Sequence, residues 1–143
     1  MKYGLFAALS LCATLAFAAP VRAESPEDVR QLLETRQCYG CDLSGADLSN
    51  AHLIGADLRN ADLEDAILVG TNFEGADLTG ANLEGANLTS AFLTNASLNE
   101  ANLDDANFTE AQIYHADVSG ASMDNIDLTN AQVYGTGISI GGE

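Results

Sequence analysis

The chain has 143 residues, with 21 Asp and Glu against five Lys and Arg, and a formal net charge of −16. A surface this acidic repels phosphate backbones and anionic membranes, so direct nucleic-acid binding is excluded as a working role. The partners that remain are cationic, or apolar through an uncharged patch.

The first segment reads as an export signal. Lys2 is followed by an apolar run from Tyr3 to Ala19, then by Val21-Arg22-Ala23. A charged start, a short apolar core and a small-residue cleavage site make a secretory signal peptide over residues 1–23, with cleavage after Ala23 and a second choice after Ala18. A membrane anchor fits less well, because about 20 apolar residues are needed to span a bilayer and this run is near the lower limit. Leu11 precedes Cys12 where a lipoprotein signal has a small residue, which argues against lipidation. Removal of the signal leaves 21 acids against Arg30, Arg36 and Arg59, a net charge of −18. Such a product has no membrane-attachment segment, and its destination is the periplasm or a thylakoid lumen.

Residues 24–37 carry the marks of a short helix. Ser25 caps, Pro26 fits the first turn, and Glu27 and Asp28 oppose the positive end of the dipole. Val29, Leu32 and Leu33 fall on one stripe. A helix this short needs a surface to lie on. The repeat array that follows needs a lid over its first apolar face. Cys38-Tyr39-Gly40-Cys41 stands at their junction, and these are the two cysteines left after the signal. Three readings are open: a structural disulfide, the default in an exported chain; a redox-active pair at thioredoxin-like spacing, though without the surrounding βαβ pattern; and half of a metal site, though without a second pair of soft ligands.

From residue 41 to 140 the sequence runs in twenty consecutive pentads, such as Ala46-Asp47-Leu48-Ser49-Asn50 and Ala101-Asn102-Leu103-Asp104-Asp105. The central residue is Leu, Phe, Ile, Val or Met in all twenty. Ala stands two places before it except at Cys41, Thr71, Ile126 and Thr136. A period of five suits neither a helix at 3.6 nor a strand at 2. The chain must turn in every pentad, which predicts short extended segments joined by tight turns and stacked as a coil.

The phrase A-(D/N)-L-x-x resembles that of the pentapeptide-repeat family over residues 41–140; with the imperfect pentad that holds Cys38 the repeat domain is set at 38–140, leaving 141–143 as a tail. The resemblance implies an all-β solenoid: a right-handed, four-sided β-helix of about five coils, with the central residue and the Ala pointing inward and the N-terminal helix as its cap. At about 4.8 Å per coil the solenoid is roughly 24 Å long. The repeated Asp and Asn are then fold residues, bonding nearby backbone, and no evidence of an active site. The Asn-Leu-Thr and Asn-Phe-Thr triplets are repeat products, not glycosylation sites. No capping helix follows Ile140, so either Gly141–Glu143 fold back over the last coil or two copies stack end to end, a homodimer through the C-terminal end such as some family members form.

With four pentads to the turn, residues twenty apart share a face. The first face carries an acidic ladder of Glu64, Glu84, Asp104 and Asp124 after Ser44. At about 5 Å steps each neighbouring pair repels by up to about 1 kcal/mol in water. It reads as a solubilising surface or as a weak site for divalent cations or a basic partner. A flat ladder cannot supply the six to eight oxygens of a tight calcium site. The second face carries Val69, Thr89, Thr109 and Thr129, a β-branched ladder suited to stacked strands. The third differs: His52, Ile54, Phe92, Tyr114, His115 and Tyr134 point outward there. It is the candidate surface for an unidentified protein partner, with ladder-stabilising ring stacking as the alternative.

No nucleophile–base pair, phosphate loop or metal constellation stands out, and no metal or cofactor is expected. The expected function is a non-catalytic, exported scaffold or protein-interaction module. Two alternatives stay open: an acidic DNA mimic acting on a type II topoisomerase, which the family resemblance suggests and an export signal opposes, and a redox or metal role for Cys38 and Cys41.

Overall fold

The computed structural model describes residues 24–138; the expected signal peptide and the tail 141–143 lie outside them. Within the array each pentad divides its labour in the same way. The residue before the centre bridges to its counterpart twenty positions on, as Asp42↔Asp62, Asp62↔Asn82 and Asn82↔Asn102. The central residue turns inward. The next two residues form the corner. The corner is a β-turn closed by Ala46 N–H donating to Leu43 O at 3.0 Å, and repeated at later pentads. Its third residue has positive φ, as at Gly45 (68°), which makes it a type II turn. Every corner from Gly40 to Gly135 has this positive φ. Several hold residues that adopt it only at a cost, such as Glu100, Glu110 and His115.

The coils are tied along the axis. Leu43 N–H donates to Asp62 O (2.8 Å), Asp62 N–H to Cys41 O (2.9 Å) and Gly45 N–H to Glu64 O (2.8 Å), and this triplet recurs. The array is therefore a four-sided solenoid with twenty residues per turn. Strands of three residues occur only where a pairing extends past one residue: β1, Gln112–Tyr114, pairs in parallel with β2, Gln132–Tyr134. Elsewhere among the described residues one residue per side bridges, because the turn claims the next two. The Thr89, Thr109 and Thr129 column, expected on stacked strands, lies in those turns instead, and Thr89 Oγ1 donates to Asn87 Oδ1 at 2.6 Å.

The core follows the pentads. Leu43, Leu63, Leu83 and Leu103 form one buried column, and Phe73 and Phe108 fill wider places in others. Small Ala residues let the backbone approach the axis. Thr71 occupies an Ala position and is buried, and its hydroxyl donates to Leu48 O at 2.8 Å.

The ends differ. α1, Pro26–Thr35, begins at Ser25, whose hydroxyl accepts from Asp28 N–H, and ends at Arg36 in a left-handed cap. It lies on the first coil, with Leu32 fully buried. Ser25 N–H donates to Asp42 O, and Asp42 N–H donates to the Asp28 carboxylate at 2.9 Å. Leu33, expected on the buried stripe, is exposed. At the far end Met123, Ile126, Leu128, Val133 and Ile138 are only half-buried against the core.

Candidate functional site

Cys38 and Cys41 form a disulfide in the first turn of the array. Cys38 takes a central position, its N–H donating to Asp57 O as a leucine's would. Its sulfur lies 3.4 Å from Asp28 O beneath α1. The bridge is buried. Tyr39, between the two cysteines, is exposed. Arg59 stacks over its ring at 5.5 Å and pairs with Asp57 at 2.7 Å. The Asp57 carboxylate raises the Arg59 pKa further, and its own is lowered by that hydrogen bond.

The acidic ladder of the first face is less free than its spacing suggests. Ser44 is buried and donates to Asp42 Oδ1 at 2.7 Å. Glu84 accepts from Asn102 Nδ2 at 3.1 Å. Asp104 accepts from Ser122 Oγ and from Asp124 N–H at 2.8 Å, and these bonds, the hydroxyl first, hold its carboxyl below the usual range. Asn82 and Asn102 interleave amides between the acids, Asn82 Nδ2 donating to Asp62 and Asn102 Nδ2 to Asn82 Oδ1, both at 3.2 Å. Among the described residues no group of three or more His, Cys, Asp or Glu is placed to hold a metal ion.

The third face is the chemically distinct one. The bridges run His52↔Asn72, Asn72↔Phe92 and Phe92↔Gln112, and then Gln112↔Gln132 with Tyr114↔Tyr134. His52 and Ile54 are exposed, but Asn72 and Glu74 separate them from the rest. Phe92, Tyr114, His115 and Tyr134 are brought together on three successive rungs. Phe92 is 39% and Tyr134 68% exposed, so both rings are available for contact. The tyrosines do not simply pile up. Tyr114 OH donates to Gln132 Oε1, while His115 meets the Tyr134 ring edge-on at 5.4 Å. His115 lies over Gly135, where a Cβ would collide with its imidazole.

Gln112 and Gln132 belong to this cluster, although the sequence pattern does not single them out for it. A signal is nonetheless present in the sequence. Elsewhere the bridging position often holds Asp or Asn, whose short side chain folds back to accept from the N–H two residues on, as Asp47 does from Ser49 at 3.0 Å. A glutamine is one methylene too long for that turn, so its amide projects. A cavity of about 410 Å³ adjoins the cluster at the C-terminal end, lined by His115, Asp117, Met123 and Thr136 among others. No described helix is long and apolar enough to cross a membrane.

A family model described as pentapeptide repeats matches residues 41–80, 56–95, 91–125 and 106–136. Among solved structures, a pentapeptide-repeat protein of the Arabidopsis thaliana thylakoid lumen is 32% identical, with 79% of this chain and 72% of that one covered and a TM-score of 0.57. A pentapeptide-repeat protein of Nostoc is 29% identical over 78% of this chain and 98% of its own, with a TM-score of 0.44. A second Nostoc protein, involved in heterocyst differentiation regulation, is 30% identical with a TM-score of 0.41; the match takes in 74% of this chain and 54% of that one. No curated protein matches.

Proposed function

Because the chain belongs to the pentapeptide-repeat family, we infer that it is a non-catalytic scaffold and interaction module, working outside the cytoplasm, whose contact surface is its third face. The array is taken as about five coils of a right-handed four-sided β-helix over residues 38–140, with α1 as the lid of its N-terminal end. The observation that carries the reading is the cluster of Phe92, Tyr114, His115 and Tyr134 on consecutive rungs, two of them exposed aromatics. Exposed rings held on a rigid ladder are what contact surfaces use, since little side-chain entropy is lost on binding.

Export is supported by the signal-like residues 1–23 and by the thylakoid-lumen relative. The buried disulfide fits a structural pin better than a redox or metal role. The half-buried C-terminal coil supports end-to-end pairing of two copies, and α1 obstructs the same contact at the other end. Light scattering that stays monomeric at high concentration would dispose of the pairing.

A photo-crosslinking residue placed at Tyr134 in the producing cell tests the contact surface. Adducts are expected there, and are expected to vanish in a Tyr114→Ser/Tyr134→Ser chain probed from Thr94. Adducts arising instead from Glu84, with none from Tyr134, would sink the reading. N-terminal sequencing should find the mature chain starting at Glu24, and an uncleaved cytoplasmic chain would overturn export.

A further inference from the structure

Charge is distributed very unevenly over the four faces. Of the 21 acids, eight fall in the pentads of the first face, three on the second, four on the fourth and one, Glu74, on the third. The first and third faces lie opposite each other. The pentads 91–95, 111–115 and 131–135 contain neither an acid nor a Lys or Arg. On a molecule of this net charge, that leaves a panel of three rungs without acid, Lys or Arg, longer than the two rungs of 66–70 and 86–90 on the second face, and it is the panel that bears the rings.

Its chemistry is a small array. Phe92, Gln112 and Gln132 form one column, and Thr94, Tyr114 and Tyr134 the other. A ring followed by two amides stands beside a hydroxyl followed by two phenols, at steps of about 4.8 Å, and Phe92 and Tyr134 stand two rungs, about 10 Å, apart. The backbone beneath is paired from rung to rung on this face. Phe92 N–H donates to Thr71 O, Gln112 N–H to Ala91 O, Gln132 N–H to Ala111 O and Leu93 N–H to Gln112 O. A peptide strand therefore cannot insert between these rungs by main-chain pairing. Three rungs of one narrow face suit a small ligand or a transient contact better than the roughly 800 Å² per partner of a stable protein interface.

We propose that the panel formed by Phe92, Gln112, Tyr114, Gln132 and Tyr134 binds an uncharged glycan, with sugar rings laid on Phe92 and Tyr134 and hydroxyls bonded to the two glutamine amides. This rests on the third face being the contact surface and names the class of its ligand. The apolar face of a pyranose stacks on an aromatic ring, and its hydroxyls need donors and acceptors at the ring's margin. The amides supply both, since each carries one acceptor and two donors. Tyr114 OH, held on Gln132, fixes one of those amides. No carboxylate stands on these three rungs to favour a cationic ligand, the one acid of the face, Glu74, lying one rung before Phe92, and the acids on the other faces repel an anionic one.

The test is a titration of the full mature chain with cellohexaose and chitohexaose, followed by amide chemical shifts, with polygalacturonate as an anionic control. Shifts confined to residues 91–95, 111–115 and 131–135 are expected with a neutral oligosaccharide, unchanged between low and high salt. Tyr134→Ala and Phe92→Ala are expected to weaken binding at least tenfold. Gln132→Ala should weaken it and Tyr134→Phe retain it. All these side chains are outward, so unchanged circular dichroism confirms that each variant folds. Ile54→Ala, on the same face but beyond Asn72, should leave binding intact. The proposal falls if neither neutral oligosaccharide shifts these residues, if polygalacturonate binds as well, or if Tyr134→Ala binds like the parent. Protein adducts from Tyr134 without any oligosaccharide shift would overturn the glycan and leave the contact surface standing. The loss of both would remove the surface as well.

Discussion

Leu88 and Leu128 occupy one interior column, two coils apart, and their surroundings differ. Leu88 is fully buried between Leu68 and Phe108. Leu128 is half-buried and has no described coil beyond it. Leu88→Ala therefore loses the whole transfer free energy and leaves a closed cavity, about 3 kcal/mol or more. Leu128→Ala loses part of that free energy and leaves a dent open to water, about 1 kcal/mol. The assay is equilibrium urea unfolding by far-ultraviolet circular dichroism, at low protein concentration, with the slope compared between variants so that a change in cooperativity is not read as a change in stability. A difference of about 2 kcal/mol is expected. Losses equal within about 0.5 kcal/mol at every concentration would refute the open end, because Leu128 would then be enclosed within the monomer. A Leu128→Ala cost that grows with concentration would instead signal that a second copy covers it.

Other consequences can be measured separately. Glu100 and Glu110 hold positive φ at 56° and 61°, so Glu100→Gly and Glu110→Gly should each stabilise by about 0.5–1 kcal/mol in thermal or urea melts; destabilisation would show that their side chains matter more than the strain. Cys38→Ala/Cys41→Ala should cost about 2 kcal/mol from loop entropy, with faster hydrogen exchange concentrated in α1 and residues 36–43. Exchange that rises equally along the whole array would contradict a local pin. The carboxyls of Asp47, Asp104, Asp117 and Asp127 are lowered first of all by hydroxyl donors, Ser49, Ser122, Ser119 and Thr129. A depressed folded pKa means that the unfolded chain binds protons first. The stability these groups add is thus complete above about pH 3.9 and is lost as pH falls below it. Ser49→Ala/Ser119→Ala should flatten that loss, and an unchanged acid profile would show that the hydroxyls do not set it.

The periodicity of five carries most of the fold into view. One inward residue per pentad, one Ala beside it and four pentads per turn are facts of spacing, and the bridges at twenty residues follow from them. The chain-entry helix is legible from Ser25, Pro26 and its acids. What spacing does not disclose is where a side chain goes once the turn is made. Ser44 looks outward in the pattern, yet it folds onto Asp42 and is buried. The β-branched column looks like strand and is turn, because the corner uses the two residues after the centre. On the third face the aromatics can be named from the sequence, but not that His115 rather than Tyr114 meets the Tyr134 ring. The glutamines escape notice because they occupy a position whose usual Asp and Asn are structural; their extra methylene is the difference.

The axial ladder gives this molecule a counting rule for insertions and deletions. Removing five residues keeps every leucine inside, yet moves everything beyond the cut by a quarter turn, so Tyr134 would leave the face that bears Phe92. Removing twenty restores every face and only shortens the rod. Selection on the surface of such a protein should therefore favour length changes in whole coils over single pentads, even though the interior accepts either.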